Sequence, residues 1–334
     1  MRELWTVPDR LCGLPGRFTV ARCVRCGLVR QEPRVADESL GDYYPEDYTV
    51  FVKRTPPALG RGRTHAWRRD WLRWRVEGRP GLGEMGLPRW LRLWPARLFA
   101  ITPPARLNPL AFSSPGKRLL DVGCGTGDFC REMRALGWDT AGIEPDARAA
   151  EMAREDGIPV VTGRFPEQAH ELSGPFDAIT MSQVIEHLPD PIAALGAARE
   201  LLADGGVLVV WTPWIDGLAA RATGAYWYPL EQPRHLTLFS RPHLRASMER
   251  AGLRVVAEVG LSSTASWTRS VDYRLDEGRA TPRHRLDHSR WLHRLLRPLV
   301  RLLDLIGLSD GGAMVAVKGG SSHRTGKTDQ DSSP

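Results

Sequence analysis

The chain reads as an α/β protein built on a doubly wound parallel sheet, and three observations carry that reading. From residue 117 onward short apolar runs alternate with segments of helical period, the pattern of repeated strand–helix units. The first run ends in a glycine turn, Asp121-Val122-Gly123-Cys124-Gly125-Thr126-Gly127-Asp128, that opens directly into a helical segment. The next run ends on an acidic residue, Glu144, followed by Pro145-Asp146. Sheets of this kind bind ligands outside the carboxyl ends of their strands, where both motifs fall.

The N-terminal segment, residues 1–54, has its own logic. Cys23-Val24-Arg25-Cys26-Gly27 is a C-x-x-C-G knuckle, a turn that offers two thiolates to one Zn²⁺. Structural zinc wants four ligands, and Cys12 does not sit in a second knuckle, so the site is incomplete and two thiols in a turn is the favoured reading. Residues 55–116 are rich in Arg, Trp and Pro without a clean period. A helical lid with its Trp face buried is expected there, ahead of contact with an anionic membrane surface or an anionic polymer.

Strands are then expected at 118–122, 140–144, 158–162, 176–181, 207–211 and 253–259. Helices are expected at 128–137, from 147, through 202, and at 242–251. Phe129, Met133 and Leu136 fall at i, i+4 and i+7, one face of the first helix. Asp204-Gly205-Gly206 is read as the turn before the fifth strand. An insertion at 261–310 carries a basic amphipathic stretch at 291–303, kinked or restarted at Pro298, as a lid or dimer face ahead of a membrane contact. The tail, 319–334, is polar and expected to be disordered.

A chain of 334 residues buries a full α/β core with an appended segment. The formal charge of +7, carried mostly by Arg, permits an anionic partner without naming one, and nucleic acid is not expected. Five cysteines, an odd number, do not suggest a disulfide framework. Met1-Arg2-Glu3-Leu4-Trp5 is no signal peptide, and no apolar run reaches about 18 residues. A cytoplasmic protein is expected.

The glycine spacing bears on the cofactor. Dinucleotide sites use G-x-G-x-x-G, with helix amides facing a pyrophosphate. Here the pattern is G-x-G-x-G between Asp121 and Asp128, and two carboxylates would repel a pyrophosphate but suit a cationic sulfonium. Glu144, ending the next strand, can accept hydrogen bonds from ribose hydroxyls. The run Leu119-Leu120-Asp121-Val122-Gly123-Cys124-Gly125-Thr126-Gly127 resembles the first motif of class I S-adenosylmethionine (SAM)-dependent methyltransferases.

The resemblance implies a Rossmann-like sheet of six parallel strands and one antiparallel strand across 117–318, with 313–317 as the candidate seventh strand. The N-terminal segment, with Pro33-Arg34 and Tyr43-Tyr44-Pro45-Glu46-Asp47-Tyr48 after its knuckle, is similar to the zinc-ribbon-like segment of one group of these enzymes, here lacking the upstream knuckle. By the same resemblance Gly123, Gly125 and Gly127 give backbone approach to SAM, Asp121 faces its ammonium end and Glu144 clamps the ribose. Phe165 is a candidate for the adenine face, and Gln183 for a position near the cofactor.

Ile185-Glu186-His187-Leu188-Pro189 resembles a segment of ubiquinone-biosynthesis and sugar O-methyltransferases, some of which hold Mg²⁺ through two glutamates and histidines. Gln183 stands in the first glutamate's place, and no metal is assigned. His187 and His235 are candidate general bases; capping and orienting the following helix is the alternative role for Glu186 and His187. O-methylation of a sugar, glycan or small secondary-metabolite hydroxyl is expected, with the oligomeric state open. A non-catalytic SAM-binding protein and a nicotinamide-dependent oxidoreductase are the alternatives.

Overall fold

The computed structural model describes residues 1–45, 116–135, 137–277 and 285–319. The expected lid, apart from its last residue, and the tail from 320 lie outside the described residues, as do Tyr48 and Leu136.

The N-terminal segment forms three antiparallel strands, β1 (Arg2–Val7), β2 (Phe18–Arg22) and β3 (Val29–Gln31). The knuckle is the turn between β2 and β3: Gly27 N donates to Cys23 O at 2.9 Å and Cys23 N to Leu28 O at 2.8 Å. Gly27 has φ +80°, a conformation that favours glycine. Backbone amides in the turn pull the Cys23 thiol down to about 7. Among the described residues neither thiol joins a group of three metal-ligating side chains.

The second half alternates as expected. β4 (Arg118–Val122) leads to α1 (Asp128–Ala135), β5 (Asp139–Glu144) to α2 (Ala147–Glu155), and β6 (Val160–Thr162) to β7 (Phe176–Ser182). Then come α3 (Pro191–Leu201), β8 (Leu202–Pro213), α4 (Leu218–Thr223), β9 (Thr237–Leu238), α5 (Arg241–Arg250) and β10 (Leu253–Gly260). The insertion holds α6 (Thr264–Leu275) and α7 (Arg290–Leu305), and β11 (Gly311–Lys318) closes the sheet. Helix starts follow their caps: Asp146 accepts from Ala149 N at 2.7 Å, and Asp190, before Pro191, from Ala193 N at 2.9 Å.

The seven strands run β10-β11-β8-β7-β4-β5-β6, with β11 antiparallel to both neighbours and the rest parallel. Side chains alternate across the sheet. Leu120, Val122, Ile179, Met181 and Leu208 pack with Leu195 of α3 and Leu244 and Met248 of α5. Leu119, Ala178 and Val209 pack with Phe129 and Met133 of α1.

Two expectations are corrected, and of the two left open at Pro298 one is excluded. β8 starts at Leu202, which pairs with Phe176, and the Asp204-Gly205-Gly206 turn becomes an irregularity in the ladder. Buried Leu202 holds the strand's start in the core. β6 begins only at Val160, because Ile158 turns into a small core with Cys124, Cys130 and Ala153. Pro298 does not restart a helix: α7 is continuous through it.

The two halves are joined in the described structure. β9 pairs with β3, so the small sheet takes its fourth strand from the far side of the chain. Val7, Val20 and Val29 share one core with Ala219, Ala220, Trp227, Leu230 and Leu238.

Candidate functional site

The carboxyl ends of β4, β5 and β7 bring the glycine turn, Glu144 and the Gln183–His187 segment to one edge of the sheet. Gly123, Gly125 and Gly127 have φ of +70°, +54° and +77°, which lets the chain reverse from β4 into α1. A Cβ on Gly123 would stand 2.6 Å from Val184 Cγ2, so that close approach is to the neighbouring loop. A Cβ on Gly127 would stand 2.6 Å from Ile158 Cδ1 and 2.9 Å from Ala153 Cβ. Gly127 is thus demanded by helix packing as well as by the turn.

Glu144 pins the turn. Its Oε2 accepts from Gly125 N at 2.8 Å and its Oε1 from Asp146 N at 3.0 Å. Burial raises its pKa, with the two amide donors opposing. Each oxygen has a further lone pair for a ribose hydroxyl. Asp121, also buried, accepts from Thr180 Oγ1 at 2.6 Å, an anchor to β7 that the sequence did not suggest.

Two assignments are revised. Asp128 shares the single charge of Arg131 with Asp156, so its charge is partly offset and weighs less in the choice of cofactor. Phe165 is 4% exposed within the main core, leaving almost no ring surface for an adenine. Its apolar ring is more stable packed under the sheet than facing a loop. Gln183 is half-buried at the end of β7 with φ +57°, a conformation unfavourable for a side-chain-bearing residue. Its N–H donates to Trp211 O at 2.8 Å. Strain of this kind concentrates where a loop must present a ligand-facing backbone.

Beyond Gln183, a short turn at Ile185–His187 packs against residues 228–236. His187 and His235 meet edge to face, with ring centroids 4.6 Å apart. His187 Nδ1 lies 3.1 Å from Arg234 O and 2.9 Å from Tyr44 Oη. A carbonyl oxygen only accepts, so the proton is assigned to Nδ1 and Nε2 is left as acceptor. His235 Nδ1 likewise lies 2.8 Å from Pro229 O, and its Nε2 is 3.6 Å from Glu231 Oε2. Burial, and then His235, lower the His187 pKa to about 3; burial also lowers that of His235. His187 is half-buried, whereas His235 is 2% exposed. Of the two, His187 is the less buried.

Glu186 is fully buried, no donor among the described residues meets its carboxylate in good hydrogen-bond geometry, and desolvation pushes its pKa up to about 8 against the opposing pull of its own amide and Thr212. Glu186, His187 and His235 each offer one ligand atom, all within 4.8 Å of one another. A buried, orphaned carboxylate beside two imidazoles fits a cation, and carbonyl-anchored Nδ1–H groups are how ligating imidazoles are oriented. One carboxylate and two nitrogens suit a transition metal better than Mg²⁺, which takes oxygen ligands.

What sequence reasoning missed is the frame around these groups. Arg234 is completely buried: its Nη1 and Nη2 donate to Asp9 Oδ2 and Oδ1 at 3.0 and 2.6 Å, its Nη1 to Tyr43 O at 2.9 Å, and its Nε to Glu231 Oε1 at 3.2 Å. Asp9 also accepts from Leu11 N and Cys12 N, each at 3.1 Å. Burial raises the Tyr44 pKa, so its phenol stays protonated. Tyr44 stood out in the sequence only as part of an aromatic cluster, and nothing local marked Asp9 or Glu231.

A seven-stranded sheet with one antiparallel strand, a glycine turn after the first strand of its parallel core and an acidic residue ending the next define a class I SAM-dependent methyltransferase. The model of the methyltransferase domain family matches residues 93–258. A ubiquinone biosynthesis O-methyltransferase from Caulobacter sp. (strain K31) is 31% identical over 174 residues, 47% of this chain and 68% of its own. Another, from Bordetella avium (strain 197N), is 36% identical over 106 residues, 30% of this chain and 44% of its own length. A solved SAM-dependent methyltransferase from Archaeoglobus fulgidus aligns at a TM-score of 0.42 and 18% identity, over 74% of this chain and 98% of its own, a score too low to add to the assignment. The chain belongs to the methyltransferase domain family, and it is a SAM-dependent enzyme.

Proposed function

We propose that the protein O-methylates a small-molecule hydroxyl, with His187 removing the proton. The observation that carries this is the half-buried His187 at the carboxyl edge, with Nδ1 held by the Arg234 carbonyl and Nε2 left to accept. SAM supplies an electrophilic methyl group when bound. Glu144 would hold its ribose, and Gly123 and Gly125 would let it approach the turn. His187 Nε2 would take the acceptor's proton as the acceptor oxygen gains the methyl group, the S–CH3 bond breaking to leave a neutral thioether. His235 packs behind His187 and orients it.

The O-methyltransferase names of the relatives support oxygen as the acceptor atom. Burial makes His187 a weak base, and a weak base takes a proton more readily from a phenol than from the far less acidic hydroxyl of a sugar or glycan, so a phenolic secondary metabolite fits better. Turnover of methyl-labelled SAM with a panel of phenols and sugars tests this, and label confined to sugar alcohols would reverse the preference.

The cofactor site is tested by thermal shift. Glu144→Ala removes a charge-assisted acceptor, a loss of about 1.5–3 kcal/mol, or roughly 10–150-fold in SAM affinity. It also frees Gly125 N, so the unliganded variant melts lower than wild type. An unchanged SAM titration would remove Glu144 from the site, and stabilisation by NADH alone would favour the oxidoreductase alternative.

A second reading rests on the orphaned Glu186 carboxylate. Glu186, His187 and His235 would hold a divalent transition metal, which would polarise the acceptor oxygen as a Lewis acid. Without metal, Glu186 keeps its proton in the fold up to about pH 8, while an unfolded chain loses it near 4.5. That contribution is complete below pH 4.5 and fades as pH rises through 8. Glu186→Gln then flattens the slope and is more stable than wild type above pH 8. With metal, the same variant loses bound ion by elemental analysis and becomes less stable, and EDTA abolishes wild-type activity.

A further inference from the structure

Among the described residues α7 is held to the protein by one face. Its His293 ring nitrogens lie 2.7 Å from Thr264 Oγ1 and 2.7 Å from Asp287 O. Its Asp304 Oδ1 accepts from Ser262 N at 3.0 Å and from Ser262 Oγ at 2.6 Å, and Val300 is buried between these anchors. These contacts fix the rotation of the helix. On the other side Trp291, Leu295, Leu299, Leu302, Leu305 and Ile306 keep 51–70% of their surface exposed. At 100° per residue they form one continuous arc of about 120°. Arg290, Arg294, Arg297 and Arg301 follow one another along a single edge of that arc. The first three are exposed and form no ion pair among the described residues.

We infer that α7 is a membrane-docking helix that lies in the plane of an anionic bilayer surface, its apolar arc in the acyl boundary and its arginine edge on lipid phosphates. A wide apolar arc bordered by basic residues and containing Trp and Leu is the composition of an interfacial helix. Charge decides between occupants. The only acidic residue of α7, Asp304, is taken by Ser262 and Arg301, so the α7 of a second copy brings no counter-charge for Arg290, Arg294 and Arg297. An anionic lipid surface does. No helix among the described residues is long and apolar enough to cross a membrane, so the contact is peripheral. The inference rests on α7 alone and stands apart from the choice of acceptor.

The test is cosedimentation of the full chain with vesicles of phosphatidylcholine alone or mixed equally with phosphatidylglycerol. Wild type partitions onto the mixed vesicles, with affinity falling as salt rises, and only weakly onto the neutral ones. Leu295→Asp with Leu299→Asp lowers partitioning tenfold or more. Arg294→Gln and Arg297→Gln each lower it about fivefold. All four positions are exposed, so the melting temperature and the SAM-induced shift stay at wild-type values. No partitioning by wild type, or equal partitioning onto neutral vesicles, overturns the inference. So does undiminished partitioning of Arg294→Gln and Arg297→Gln, or a dimer in sedimentation that the leucine variant splits without any vesicle binding.

Discussion

Arg234→Met should destabilise the protein by about 3–5 kcal/mol, because it leaves Asp9 buried without its counter-charge. The bidentate contact is fully enclosed, and the same guanidinium reaches Tyr43 O and Glu231. Its loss loosens the small sheet from residues 228–236 and with them the carbonyl that holds His187. Urea denaturation measures the change. Pairing Arg234→Met with Asp9→Leu should recover much of it, since an apolar pair of similar volume removes the stranded charge. A loss under about 1 kcal/mol, the range of an exposed pair, would mean that water reaches this contact.

His187→Ala should lower turnover by about 10²–10⁴-fold while leaving SAM affinity nearly unchanged. His235→Ala should act on activity through His187, with a smaller loss in kcat. The pH profile separates this base from an ordinary imidazole. With its pKa lowered to about 3, His187 is neutral across the working range, so activity shows no acid limb near 6.5. Stability carries the complementary signature. An unfolded histidine takes its proton near 6.5 and the folded one only near 3, so stability is complete above 6.5 and lost as pH falls towards 3. A clear limb near 6.5 in kcat/KM would point to an exposed histidine instead. If both histidine variants keep wild-type rates and EDTA has no effect, catalysis rests on proximity and alignment.

Sequence alone determined the parallel sheet, the glycine turn and the acidic residue after it, because each is written locally. Alternating apolar runs place β4, β5 and β7 within a residue or so of where they stand, and three glycines at alternate positions require a turn whatever surrounds it. The Glu186-His187 pair is also visible as a run of neighbours. Local pattern misjudged the ends of β6 and β8, where burial of Ile158 and Leu202 outweighs turn preferences, and left a kink or a restart open at Pro298, through which α7 is continuous. Only the tertiary structure decided which carboxylates are available: Asp128 shares an arginine of its own helix with Asp156, Asp121 is tied to Thr180, and Glu144 is shared with the turn it faces. It also decided which histidine is the less buried and joined the N-terminal strands to β9 through Arg234 and Asp9, 225 positions apart. Burial and charge pairing act through space, and no spacing along the chain records them.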